Sequence, residues 1–130
     1  MKSVIKMYKH YNPNPRLSHA GDCVIRSICC AEGKDWDTVY TALCVQGFID
    51  KEWGNNNAVW DKYLIQLGYK RHTIPDTCPE CYTAAQFAAD NPQGIFILAT
   101  GTHVVCVADG TIYDSWDSSM TVPIYYYSKE

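Results

Sequence analysis

The chain lacks any apolar run approaching the roughly 18 residues of a membrane span, so no membrane partner is expected. It also lacks a basic excess. Eleven Lys and Arg against 14 Asp and Glu give a formal charge of -3, with a pI near 5.7. Domains that track phosphate backbones ordinarily carry a strongly basic face, so nucleic acid is not expected as a partner either. The opening MKSVIKMYKHY alternates charged and apolar residues and has no continuous apolar core of the kind a signal peptide needs. A cytoplasmic location is the resulting expectation, and with it a disulfide framework becomes the weaker reading of the seven cysteines. There is no internal repeat, no low-complexity run, no phosphate-loop pattern and no outstanding pair of carboxylates.

What is present suits one ordinary core. The 130 residues are 47% apolar and 19% charged, which excludes disorder and fits a single domain spanning 1–130. A chain of this size buries roughly two-thirds of its extended surface on folding. That leaves room for a compact hydrolase domain but not for a large multidomain enzyme.

The first half reads mainly helical. A helix starting at or beside Cys23 puts Val24, Ile28 and Ala31 on one face. Asp35 can cap a second helix running to about Phe48, with Val39, Leu43 and Phe48 near one stripe and Trp36 and Tyr40 extending it. Asn57 can cap a third helix carrying Val59, Trp60, Tyr63, Leu64 and Leu67, and Gly68 stops it.

Past Gly68 the period changes. Tyr69 to Ile74 can form a strand, and Thr77 with Glu80 suggests a capping box for a helix carrying Ala84, Ala85, Phe87 and Ala88. Asn91 to Gly94 ends that helix. GIFILAT and THVVCVA read as buried strands, and Asp109-Gly110 as a type I′ turn into TIYDSW. VPIYYY adds a last strand, on which Tyr125 and Tyr127 share a face and Tyr126 points the other way. Helices first and an antiparallel sheet later make the expected class α+β.

Cys23 is the sharpest chemical candidate. A thiol at a helix's first turn meets unpaired backbone N–H groups and the positive end of the dipole, both of which favour the thiolate. The same N–H groups can stabilise an oxyanion on an attacked carbonyl. Such a nucleophile needs a base within reach, and the base needs an orienting acceptor on its other nitrogen. His103 opens the strand after Gly101-Thr102. If Ala108 pairs with Thr111 across the hairpin, Asp114 falls two residues out of register with His103 and on the same face, within a diagonal contact. Cys29, Cys30, Cys44 and Cys106 read instead as small apolar core thiols.

The segment GDCVIRSI, followed much later by GTHVVCVADGTIYDSW, resembles a papain-like cysteine peptidase. The first segment also resembles the nucleophile motif of the ovarian-tumour (OTU) class of deubiquitinases, in which a Cys opens a helix and an Arg follows shortly after. The resemblance covers about a fifth of the chain. It implies a papain-like fold, with N-terminal helices packed on a C-terminal antiparallel sheet. It further implies Cys23 as nucleophile, His103 as general base, Asp114 as the residue orienting it, and Arg26 as a structural position of the motif. The activity implied is hydrolysis of a peptide or isopeptide bond through a thioester acyl-enzyme, on a peptide or protein substrate, with no cofactor and no metal. The chain departs from the pattern at Ala20, where an acidic residue is usual, and at Leu17, where papain-like enzymes often place an oxyanion glutamine. Asn14, His19, Asp22 or backbone N–H groups are the substitutes.

Two other accounts compete. The same scaffold without turnover would be a peptide- or protein-binding module. The pair Cys78-Pro79-Glu80-Cys81 reads as structural thiols, a redox dithiol or half of a zinc site, although no further ligands stand at finger-like spacing. Trp116 and Asp117 are candidates to line a groove beside the site. Trp36, Trp53, Trp60 and the Tyr125–Tyr127 cluster read as core or partner patch, and His10 and His19 as loop residues.

Overall fold

Chain order already separates the molecule's two sides. A computed structural model of the chain describes residues 7–18 and 21–129. After strand β1 (Tyr8–His10) come helices α1 (Cys23–Glu32), α2 (Trp36–Asp50) and α3 (Asn57–Gln66), then β2 (Tyr69–Thr73) and α4 (Ala84–Asp90). Strands β3 (Ile95–Ala99), β4 (Val104–Ala108), β5 (Thr111–Asp114) and β6 (Tyr125–Lys129) follow. Among the described residues no helix is long and apolar enough to cross a membrane.

The strands form one six-stranded sheet in the order β1-β5-β4-β3-β6-β2. Helices α1 to α3 cover one face and α4 the other. Strand alternation divides the core accordingly: Ile97, Ala99, Val104 and Cys106 meet α1 to α3, while Leu98, Val105 and Val107 meet Phe87 and Ala88 of α4. Tyr125 and Tyr127 lie on the first side and Tyr126 on the second, as their parity requires.

The class is α+β, but the sheet is mixed rather than purely antiparallel. β1 runs parallel to β5, pairing Tyr8 with Ile112 and His10 with Asp114. The N-terminal strand β1 therefore departs from the expected order of helices first and sheet later, while α4 falls where its helix was expected. β1 carried no strand signal because it is three residues long, with Lys9 and His10 exposed at the sheet edge. His10 is consequently an exposed strand residue and not a loop residue. His19 and Ala20 lie outside the described residues.

Helix-level expectations need three adjustments. Asp35 does cap α2, accepting from the Thr38 N–H at 2.8 Å, but Phe48 is not on the buried stripe. Nine residues beyond Val39 it lies about 180° round the helix, and it is 73% exposed. Gln46 and Gly47 take its place. The cap of α3 is Asn56, one residue earlier than expected, with its side chain accepting from Ala58 N–H. The capping box of α4 is Thr83 with Gln86, not Thr77 with Glu80. Thr77 instead donates to the carbonyl of Glu80, which lies in a short loop closed by a Cys78–Cys81 disulfide.

The hairpin that matters for the site forms as its turn residues dictate. Asp109 and Gly110 both have positive φ, at 49° and 78°, as a type I′ turn requires. Ala108 then pairs with Thr111 and Cys106 with Tyr113. The Asp114 carbonyl accepts from the Tyr11 N–H at 2.7 Å, so the segment after β1 pins the end of β5.

Candidate active site

α1 begins at Cys23, and its N-cap residue Asp22 does not cap it. The Asp22 carboxylate turns away, accepting from Arg26 Nη1 and from Trp36 Nε1, the latter at 2.9 Å. The first-turn N–H groups beside the thiol are thus left without a side-chain acceptor from the cap. Asp22 cannot serve as an oxyanion donor in this arrangement; it only accepts.

On the facing wall, a tight turn sets the backbone of His103. Its N–H donates to Thr100 Oγ1 at 2.9 Å, and its carbonyl accepts from the Thr100 N–H at 2.8 Å. The His103 ring places Nε2 2.6 Å from Asp114 Oδ2. With Nε2 so engaged, Nδ1 is the other ring nitrogen, and Cys23 and His103 line the same cleft. Trp116 packs on the imidazole, ring centroids 4.8 Å apart. Asp117 plays no part in this contact; its carboxylate holds Ser119.

Asp114 is 1% exposed and fully engaged. Besides His103 it accepts from Ser118 Oγ at 2.7 Å, the Ser115 N–H at 2.7 Å and Arg26 Nη2 at 3.2 Å. Arg26, expected only as a structural position, therefore joins the cap residue of α1 to the carboxylate behind the histidine. All three side chains of this Asp–Arg–Asp bridge are buried. Arg26 Nε is left without an acceptor. The spacing of Asp22 and Arg26, four apart on a helix, was the signal for half of this bridge. Nothing local in the sequence pointed to the other half.

The electrostatics of the pair follow from these contacts. Burial pushes the Cys23 thiol up, but the hydrogen bonds from His103 and the Val104 N–H, with the charges of His103 and Arg26, bring it below the ordinary thiol value. Burial lowers His103, yet its hydrogen bonds to Asp114 and Cys23 outweigh that and raise it to about 9. Burial also pushes Asp114 up, and His103 and Ser118 hold it below the usual carboxylate range. Both shifts of the Cys–His pair favour thiolate beside imidazolium.

The pair opens into a cleft of about 200 Å³. Gly21, Cys23 and Val24 form one wall, Thr100 to Val104 the other, and Asn55, Asn57 and Trp60 close one end. Asn57, expected only as a helix cap, is the first residue of α3, and Asn55 enters the cleft from the α2–α3 connection. Asn14 is buried, with its side-chain oxygen accepting from the Arg16 N–H, and Leu17 is exposed.

The remaining cysteines divide differently from expectation. Cys29 and Cys106 are buried and Cys30 is half-buried, but Cys44 is exposed, because it stands about 140° round α2 from Val39. Cys78 and Cys81 are disulfide-bonded and so are not free thiols. Among the described residues no group of three or more His, Cys, Asp or Glu is placed to hold a metal ion. Trp60 is core as expected, while Trp53 is 80% exposed and Trp36 half-buried.

No family model, curated protein or solved structure matches the chain significantly.

Proposed function

We propose that the chain is a cysteine hydrolase with a papain-like arrangement, cleaving a peptide or isopeptide bond through a thioester acyl-enzyme. The observation that carries this reading is that Cys23, at a helix start, lines one cleft with His103, whose ring is paired with a buried Asp114. In the reaction the Cys23 thiolate attacks the carbonyl carbon, and α1's first N–H groups stabilise the oxyanion. The C–N bond then breaks, and the imidazolium of His103 gives its proton to the departing amine. Water, deprotonated by the now neutral His103, attacks the thioester carbonyl. The C–S bond breaks, releasing a carboxylic acid and restoring the thiolate–imidazolium pair. Asp114 orients the imidazole and offsets its charge, and Arg26 holds Asp114.

Incubation with a diverse peptide pool, and with isopeptide-linked peptides, tests the reading by mass spectrometry of new termini. The expected result is cleavage by the native protein and none by Cys23→Ala. Retention of peptides by both proteins, with no Cys23-dependent cleavage by either, would favour a binding module on the same scaffold.

A further inference from the structure

A second depression, of about 380 Å³, adjoins the cleft that holds Cys23. Asn57 and Tyr125 line both, and the other walls of the second are Ala58, Asp61, Arg71 and Tyr127. α3 supplies Asn57, Ala58 and Asp61, β6 the two tyrosines, and β2, at the sheet edge, Arg71.

The two charged side chains here are each held by a tyrosine. Pairing of β2 with β6 sets Arg71 opposite Tyr127, and the guanidinium carbon lies 4.0 Å from the centroid of the Tyr125 ring. The ring attracts the cation but does not satisfy its fork of N–H donors. Among the described residues no carboxylate lies within ion-pair distance of Arg71, that of Asp61 included. Asp61 is fixed by the hydroxyl of Tyr127, a residue 1% exposed, which donates to Oδ1. Nothing among the described residues donates to Oδ2.

Opposite charges on neighbouring elements gain by closing on each other unless something holds them apart. With each held by its own tyrosine, the depression presents an unmatched donor fork together with an unmatched acceptor oxygen. A ligand that satisfies both carries a carboxylate for the first and an ammonium for the second. An amino acid bears these two groups on one carbon, and it keeps both free in a larger molecule only when it is joined through its side chain.

We propose that Arg71 takes the free α-carboxylate, and Asp61 the free α-ammonium, of an amino acid whose side chain enters the cleft and carries the bond that Cys23 attacks. The inference rests on the hydrolase reading and narrows its substrate to an isopeptide. The residue is a lysine joined through its ε-amine or a glutamate joined through its γ-carboxyl. With lysine, the C–N bond breaks and the amino acid departs as the amine that His103 protonates. With glutamate, the γ-carbonyl becomes the thioester, and water breaks the C–S bond to release free glutamate.

Two compounds test this on the full chain: lysine acylated on its ε-amine by acetyl-Gly-Gly, and glutamate joined through its γ-carboxyl to Gly-Gly amide. Each is compared with forms whose α-amine is acetylated, whose α-carboxyl is amidated, or both, and with its α-linked isomer. Products are followed by mass spectrometry, with Cys23→Ala as the blank. At least one compound should be cleaved with a kcat/KM about tenfold or more above that of its doubly capped form, the scale of one hydrogen bond between charged groups. Which compound it is identifies the residue. Arg71→Gln should remove the preference for a free carboxylate, and Asp61→Asn the preference for a free ammonium. Each preference is a ratio within one protein, so the amount of folded variant does not enter it. Cleavage indifferent to the caps, cleavage confined to α-linked bonds, or a preference untouched by both variants would overturn the inference while Cys23-dependent hydrolysis stands. No Cys23-dependent cleavage of these compounds or of the peptide pool would overturn the hydrolase reading and the inference with it.

Discussion

At the Cys23 end of the cleft, position is set by buried charge; at the end adjoining Arg71 it is set by contacts with two tyrosines. Asp114 is 1% exposed and has four side-chain or backbone donors, so it has little freedom to move. Arg71 is exposed and rests on the Tyr125 ring, and Asp61 has one donor among the described residues, the Tyr127 hydroxyl. The contrast matches what the two ends would do. Proton transfer and nucleophilic attack need groups fixed within a fraction of an ångström, whereas charges that hold a substrate's far end need only lie within its reach. Substitutions at the first end should therefore cost turnover or folding, and substitutions at the second should leave folding nearly unchanged.

The largest effect is expected on activity. Once a cleaved peptide is in hand, Cys23→Ala should abolish turnover, and His103→Ala should lower kcat/KM by roughly 10²- to 10⁴-fold, the range for a positioned acid–base group. Next comes stability at the buried bridge. Arg26→Leu leaves two buried carboxylates without their shared cation and should destabilise the fold by about 3–5 kcal/mol, read by urea unfolding. A change below about 1 kcal/mol would show that the bridge does not hold the wall. Smallest should be Arg71→Gln, within about 1 kcal/mol in the same assay, the scale of an exposed contact between a cation and a ring.

The pH profile probes the charged end in another way. Activity should rise as Cys23 ionises, below the ordinary thiol value, and fall as His103 loses its proton near 9. Asp114→Asn removes one of the contacts that raise His103, so the alkaline limb should move to lower pH. The same linkage acts on folding. With the folded-state pKa above the imidazole's ordinary 6.5, the His103 contribution to stability is complete below 6.5 and lost as pH climbs through about 9. Asp114, held low, contributes above the usual carboxylate range and loses its contribution as pH falls through its lowered value.

The sequence made some of this legible and hid the rest for physical reasons. The Asp109-Gly110 turn was readable because only a few residues tolerate two successive positive φ angles, and that turn fixes the register that brings His103 within reach of Asp114. α1 was readable from the spacing of Val24, Ile28 and Ala31. β1 was not, since three edge residues, two of them exposed, carry no alternation long enough to detect. The faces of α2 were misjudged because apolar residues surround it, so periodicity alone could not tell Val39 from Phe48. Arg26 had a recognisable partner four residues before it, but its bond to Asp114 joins a helix to a distant hairpin. Only the folded arrangement creates that contact. The depression that holds Arg71 and Asp61 depends likewise on β2 pairing with β6 beside α3, which no local motif announces.

The central claim is that Cys23 is a nucleophile activated by His103. It is tested most directly by the rate of Cys23 alkylation with iodoacetamide across pH, resolved by peptide mapping. The native protein should alkylate at Cys23 well below the pH at which an ordinary thiol ionises, and His103→Ala should move that profile up toward an ordinary thiol's. Identical profiles in the two proteins would contradict the account.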